Sequence, residues 1–252
     1  TGIACGDTKI VSPKGIHKAT IVWLHDIGEK GRDSSVSLTL YMSILSACSS
    51  AIFVRQLNLP TVWIHAHVKW ICPTAPRRPV TSLGGTQTTA WSDVTGVSEN
   101  MEDDMVSLNS IAAFVVNLLQ DEPNNVMIGL GGIGLGASVA LYLATCYITG
   151  WQQTIRLRAI VGINGWLPAW RNLRQNMSFN YGTPSLAPSV PILLTHGTSD
   201  AIVPLSVGNR CRDTLHRAGF PVTFTPYEGN HHATVPQVIN VVRMWLTTNF
   251  QL

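Results

Sequence analysis

What most constrains this chain is an alternation. Short runs rich in Val, Ile, Trp and Thr, each ending at or just before Gly, Pro or His, are separated by longer segments with helical spacing. Strands joined through helices pair in parallel, and a parallel sheet must be covered on both faces. The pattern predicts strands over Ala19–Leu24, Lys69–Cys72, Val126–Leu130, Arg158–Ile163, Ile192–His196 and Val222–Tyr227. It predicts helices over Glu102–Leu119, Gly136–Cys146, Ser206–Arg217 and Val235–Thr248. In the first helix Met105, Leu108, Ile111, Ala112, Val115 and Leu119 recur at three and four residues and form one apolar face.

A chain of 252 residues holds one such domain with a sizeable core, and 45% apolar against 12% charged residues is the balance of a packed protein. The net charge is +3, but the Lys and Arg residues are scattered, which argues against nucleic acid as a partner. Cys5, Cys48, Cys72, Cys146 and Cys211 are odd in number and contain no C-x-x-C pair, so neither a disulfide framework nor a zinc ribbon is expected. With no apolar leader visible in residues 1–20, the expected location is cytoplasmic. Ser34 to Val54 carries no charge over about the length of a membrane span, yet its many serines favour a buried or surface-packed helix.

In parallel sheets, chemistry collects at the carboxyl ends of the strands, here the loops beginning at His25, Pro73, Gly131, Asn164, Gly197 and Glu228. The most informative is Gly129-Leu130-Gly131-Gly132-Ile133-Gly134-Leu135-Gly136-Ala137. Read from Gly129 it is G-x-G-x-x-G, a dinucleotide fingerprint, but that site wants a carboxylate about twenty residues on. No Asp or Glu lies between Glu122 and Asp200. Read from Gly132 it is the G-x-S-x-G nucleophile elbow with glycine in the serine's place. Downstream, His196-Gly197-Thr198-Ser199-Asp200 and Gly229-Asn230-His231-His232 each follow a predicted strand, in the order nucleophile, acid, histidine.

Several further pieces join these: Trp23-Leu24-His25, Ile71-Cys72-Pro73-Thr74-Ala75-Pro76 with Arg78-Pro79-Val80-Thr81, Ala90-Trp91-Ser92-Asp93, Gly165-Trp166-Leu167-Pro168, Val203-Pro204 and Tyr227-Glu228-Gly229. Together they resemble the acyl-protein thioesterase and cytosolic carboxylesterase family over most of residues 19–250. The resemblance implies a single α/β-hydrolase domain over 19–252, a mostly parallel sheet with helices on both faces, preceded by an N-terminal segment 1–18. It implies an acyl ester or thioester substrate, with an S-acylated protein or lysophospholipid among the candidates, and no cofactor. It puts Asp200 at the catalytic acid, His232 rather than His231 at the base, the N–H groups of Ile27 and Leu135 at the oxyanion hole, and Trp91 and Trp166 beside the acyl chain.

Three departures from the family pattern stand out. Gly134 occupies the nucleophile position and has no hydroxyl with which to form an acyl-enzyme. The family's His-Gly-Leu-Gly loop reads His25-Asp26-Ile27-Gly28, with a carboxylate beside the place where negative charge develops, which opposes catalysis. An insertion at about 39–68 lengthens one connection and could form a lid or partner surface. Loss of a serine nucleophile costs roughly a millionfold in turnover, so little or no activity is expected. A pseudoenzyme that binds an acyl chain or acylated protein is the alternative.

Other readings are weighed beside these. A water activated directly by His232 is a minor route to slow hydrolysis. Ser138 is expected to pack or bond back onto its helix, and Ser199 to sit in a turn. His231 and His232, adjacent and without a motif-placed third ligand, are not expected to hold a metal. His65 and His67 are expected on a strand as surface residues. One of Arg77 and Arg78 is expected to pair with Asp93 or a neighbouring acid.

Overall fold

The computed structural model describes residues 4–29, 64–98, 100–148, 155–173, 190–231 and 236–252. Its strands are β1 (Lys9–Val11), β2 (Ala19–Leu24), β3 (Val68–Cys72), β4 (Arg77–Val80), β5 (Thr86–Thr89), β6 (Met127–Ile133), β7 (Leu157–Ile163), β8 (Ile192–Gly197) and β9 (Val222–Tyr227). Seven of them form one sheet in the order β1-β3-β2-β6-β7-β8-β9, while β4 and β5 make a separate hairpin. Within the large sheet β1 runs antiparallel to β3 and every other pair is parallel.

Helices α1 (Met105–Leu119), α2 (Leu135–Ile148) and α3 (Leu205–Arg217) contribute to the core on one face, with Leu108, Ile111, Val139, Leu143, Val207 and Leu215 buried there. Helix α4 (Pro236–Asn249) covers the other face through Val238, Ile239, Val242 and Leu246, packed with Trp23, Trp70 and Phe250. Trp23 and Trp70 meet edge to face with centroids 6.0 Å apart, the arrangement that aromatic quadrupoles prefer. This packing explains two glycines of the apparent dinucleotide fingerprint. Gly129 and Gly131 lie inside β6, where an added Cβ would strike the rings of Phe250 and Trp23 respectively.

The expected strands and helices are found with adjusted ends. Strand β6 continues to Ile133 because its glycines are paired on both sides, with β2 and with β7. Helix α1 starts at Met105 rather than Glu102, since the Asp104 side chain accepts from Ser107 N–H at 3.1 Å and fixes the N-cap. His65 and His67 fall on a short helical turn, Ile64–His67, and not on the strand, which begins at Val68. Arg78 pairs with Asp104 at 2.9 Å, whereas Asp93 takes the N–H and hydroxyl of Thr81. The strand β1 and the β4–β5 hairpin carry no signal that the hydrophobic pattern exposes. Among the described residues no helix is long and apolar enough to cross a membrane. Ser34 to Val54, and most of the expected insertion, lie outside the described residues.

Candidate active site

Two loops at the carboxyl end of the sheet set the site. The first follows β2. His25 is buried; its Nδ1 donates to the Asp26 carbonyl at 2.6 Å and its Nε2 accepts from Ala75 N–H at 2.9 Å. Burial pushes its pKa down to about 4 against the opposing influence of Asp26, so the ring is neutral and acts as a bracket. Trp91 is fully buried and donates its indole N–H to the His25 carbonyl at 2.8 Å, while Gly28 N–H bonds Thr89 O at 2.8 Å. The loop carrying Asp26 is therefore held from several sides. Trp91 supports that loop from within the core.

The second loop is the turn from β6 into α2. Gly134 sits there with φ +55°, the left-handed conformation that costs a side-chain-bearing residue energy and glycine none. Its N–H bonds Ile163 O at 2.9 Å. Ser138 Oγ donates to Gly134 O at 3.1 Å and accepts from Trp166 N–H at 3.0 Å, so its hydroxyl is already engaged. A Cβ built on Gly134 would overlap the carboxylate of Asp26.

That carboxylate organises everything around it. Asp26 Oδ1 accepts from Ile27 N–H at 2.8 Å and from Leu135 N–H at 2.9 Å, the two groups expected to line an oxyanion hole. Asp26 Oδ2 is 2.8 Å from His231 Nε2, and His231 Nδ1 is 2.7 Å from Asp200 Oδ2. Asp200 Oδ1 in turn accepts from Ile202 N–H at 2.9 Å and Val203 N–H at 2.8 Å. The contact with Asp200 expected of His232 is made by its neighbour His231; His232 lies outside the described residues.

The electrostatics follow from this line of groups. Burial alone would lower the pKa of His231, but hydrogen bonds to Asp200 and Asp26, and the charge of both carboxylates, raise it to about 10. The ring is an imidazolium at neutral pH. Burial works against ionisation of Asp200, yet the bonds from His231, Val203 and Ile202 outweigh it and hold the carboxyl below its ordinary range. Glu29, whose Oε2 is 3.3 Å from Asp26 N, is raised to about 8 by burial and by the charge of Asp26. Among the described residues one cation thus faces two carboxylates, with a third carboxyl beside them that keeps its proton.

Asn164, noted in the sequence only as the start of a loop, ties this corner together. It adopts φ +52°; its Nδ2 donates to Tyr227 Oη at 2.7 Å and to His231 O at 2.8 Å, and its Oδ1 accepts from Gly197 N–H at 2.8 Å. An asparagine just past a strand is the signal that could have found it, because Asn tolerates the left-handed region. Trp166, from the loop after β7, lines a cleft with Met101, Leu167, Trp170, Val207 and Arg210. As a chemical unit the site offers an anion, an imidazolium and two N–H donors already occupied, with no hydroxyl at the elbow.

The comparisons agree with this architecture. A family model described as phospholipase/carboxylesterase matches residues 5–250. The chain is 26% identical over 230 residues to acyl-protein thioesterase 1 of Schizosaccharomyces pombe, covering 89% of this chain and 88% of that protein. It is 26% identical over 250 residues to acyl-protein thioesterase 1 of Yarrowia lipolytica, covering 96% of each. The crystal structure of Zea mays acyl-protein thioesterase 2 superposes with a TM-score of 0.80 at 39% identity, covering 97% of this chain and 99% of that one. Arabidopsis thaliana SOBER1 shares the fold at 20% identity with a TM-score of 0.68. The sheet, the elbow after β6 and a family match running through both make this chain a member of the phospholipase/carboxylesterase family of α/β-hydrolases.

Proposed function

We propose that this chain is a phospholipase/carboxylesterase-family protein that has lost serine-based turnover of acyl esters and thioesters and retains an acyl-recognition role. One observation carries the reading: the Asp26 carboxylate lies where a side chain on Gly134 would begin, and it uses both N–H groups that a tetrahedral intermediate would need. Loss of the nucleophile alone costs roughly 10⁶ in turnover, and removing a single oxyanion donor roughly 10²–10³. Asp26 answers both donors at once.

The ligand class rests on the relatives, which are acyl-protein thioesterases by name. An S-acylated protein or another long-chain acyl thioester is the ligand proposed for this chain. The test is hydrolysis of a medium-chain acyl thioester, with binding measured in parallel. The parent chain is expected at background. Parent turnover that is abolished by His231→Ala or by His232→Ala would overturn the reading and assign the base for a water mechanism.

A further inference from the structure

Helix α4 leaves a groove at the amino ends of β8 and β9, away from the elbow. The helix packs chiefly on β7 and β8, whereas β9 is the last strand of the sheet. The wedge between the helix and that last strand has a volume of about 600 Å³. Leu193, fully buried, lies at its floor, and the register partner Thr223 stands beside it on the same face, exposed. Helix α4 carries two stripes. Val238, Val242 and Leu246 are buried against the sheet, while Val241, Met244, Trp245 and Thr248, again spaced by three and four, line the groove. Val241 and Trp245 are partly buried against the core, but Met244 is 69% exposed. The first stripe already fixes the helix to the sheet, so the second is apolar surface that the fold does not use.

The lining itself selects the occupant. None of the described lining residues is charged, so an ionic group placed inside would lose its hydration and find no partner. The volume falls within the range of about 300–1,000 Å³ typical of small-ligand sites. Ten residues line it, half or less of the roughly 20–30 that each side of a stable protein interface supplies, which disfavours a second copy or another protein. An added strand on β9 is disfavoured too. Ile192 N–H bonds Pro221 O and Thr198 N–H bonds Tyr227 O, so Val222, Phe224 and Pro226 turn their backbone groups outward. Pro226 has no N–H, and the Arg212 guanidinium lies 5.2 Å from the Phe224 ring centroid.

We propose that this groove binds a neutral single-chain lipid. The hydrocarbon lies along Leu193, Val241, Met244 and Trp245, and the uncharged head stays at the water-facing rim beside Thr223. The proposal stands on the lining of the groove and not on the acyl-ligand reading, and it needs neither Asp26 nor Gly134.

The experiment titrates the full chain with 11-bromo-1-undecanol, whose bromine quenches a neighbouring indole, and follows tryptophan fluorescence. Saturable quenching is expected, and most of it should vanish in Trp245→Phe, which keeps the groove apolar. Each buried methylene contributes about 2- to 4-fold in affinity, so 8-bromo-1-octanol is expected to bind about 10-fold or more weakly. Met244→Glu and Thr223→Lys each bring a charge to an exposed position of the groove and are expected to weaken binding by about 10-fold or more. The absence of saturable quenching, the same quenching in Trp245→Phe, or an affinity unchanged in both charged variants would overturn the proposal. So would sedimentation showing a dimer that Met244→Glu dissociates, because the occupant would then be a second copy. Quenching in the parent and in Trp245→Phe decides even where a charged variant misfolds.

Discussion

Two buried carboxylate clusters lie at opposite ends of strand β2, and they are built on different terms. At the amino end, Glu122 is 5% exposed; it meets Lys69 Nζ and the Thr20 hydroxyl at 2.5 Å each, and His17 Nε2 donates to that hydroxyl at 2.8 Å. One anion has one full cation and a donor for its other oxygen. At the carboxyl end, Asp26 and Asp200 share the imidazole of His231, beside Gly28, Gly134 and Asn164, all at positive φ. A buried charge that is matched locally joins elements together. Two anions on one cation, held by backbone in uncommon conformations, cost stability and persist where a site requires them.

The largest effect that separates the two ends is on chemistry. Gly134→Ser alone must push the Asp26 carboxylate aside, so it is expected to recover only part of thioester turnover. Gly134→Ser with Asp26→Gly supplies the hydroxyl and frees both N–H donors. Turnover of a medium-chain thioester is expected to rise by about 10⁴-fold or more over the parent. Glu122→Gln is expected to change none of these rates. A single Gly134→Ser variant as fast as the double one would show that Asp26 does not obstruct the elbow.

Stability sharpens the contrast in the opposite direction. Removing Glu122 by Glu122→Ala leaves Lys69, which is partly exposed, and the Thr20 hydroxyl without their partner; the expected cost is about 2–3 kcal/mol in urea denaturation. Asn164→Ala removes a side chain that bonds the ends of β8 and β9 and the His231 loop and places alanine at φ +52°, for about 2 kcal/mol. Asp26→Asn is expected to cost less than about 1 kcal/mol, because it relieves one of two anions competing for a single ring. A large loss from Asp26→Asn would mean that this carboxylate is a fold element like Glu122.

The difference between the ends also explains what could be read beforehand. The parallel sheet was legible because β2, β7 and β8 are buried along most of their length and carry continuous apolar runs. Gly134, Ile27, Leu135 and Asp200 were legible because an elbow and the loops beyond the strands have sequence signatures. Which of two adjacent histidines reaches Asp200 was not, since a one-residue shift in a loop leaves composition and spacing unchanged. Nor was the seat of Asp26, which depends on the missing Cβ of a residue 108 positions away in sequence; only the packed fold brings them together.

The last contrast is in the pH dependence of stability, where four groups of the site act with different signs. His231 is raised from 6.5 to about 10, so folding favours its protonated form; that stabilisation is complete below pH 6.5 and is lost as pH rises through about 10. Glu29 is raised from 4.5 to about 8 by burial, so folding favours its neutral form, and stability falls as pH rises from 4.5 through about 8. Asp200 is lowered from 3.8, so its contribution is present above that value and lost as pH falls. His25 is lowered from 6.5 to about 4 by burial, so its contribution is present above 6.5 and lost as pH falls through about 4. It offsets the Glu29 decline up to about pH 6.5, so stability contributed by the site should be level over about pH 4.5–6.5 and decline above it. Urea denaturation across this range checks the shape. Glu29→Gln should leave a decline from about pH 6.5 to 10 alone, and His231→Gln one that ends near pH 8. A site contribution that instead rises from pH 5 to pH 8 would mean that Glu29 ionises freely, and with it the assignment of His231 as the one cation facing two carboxylates would fail.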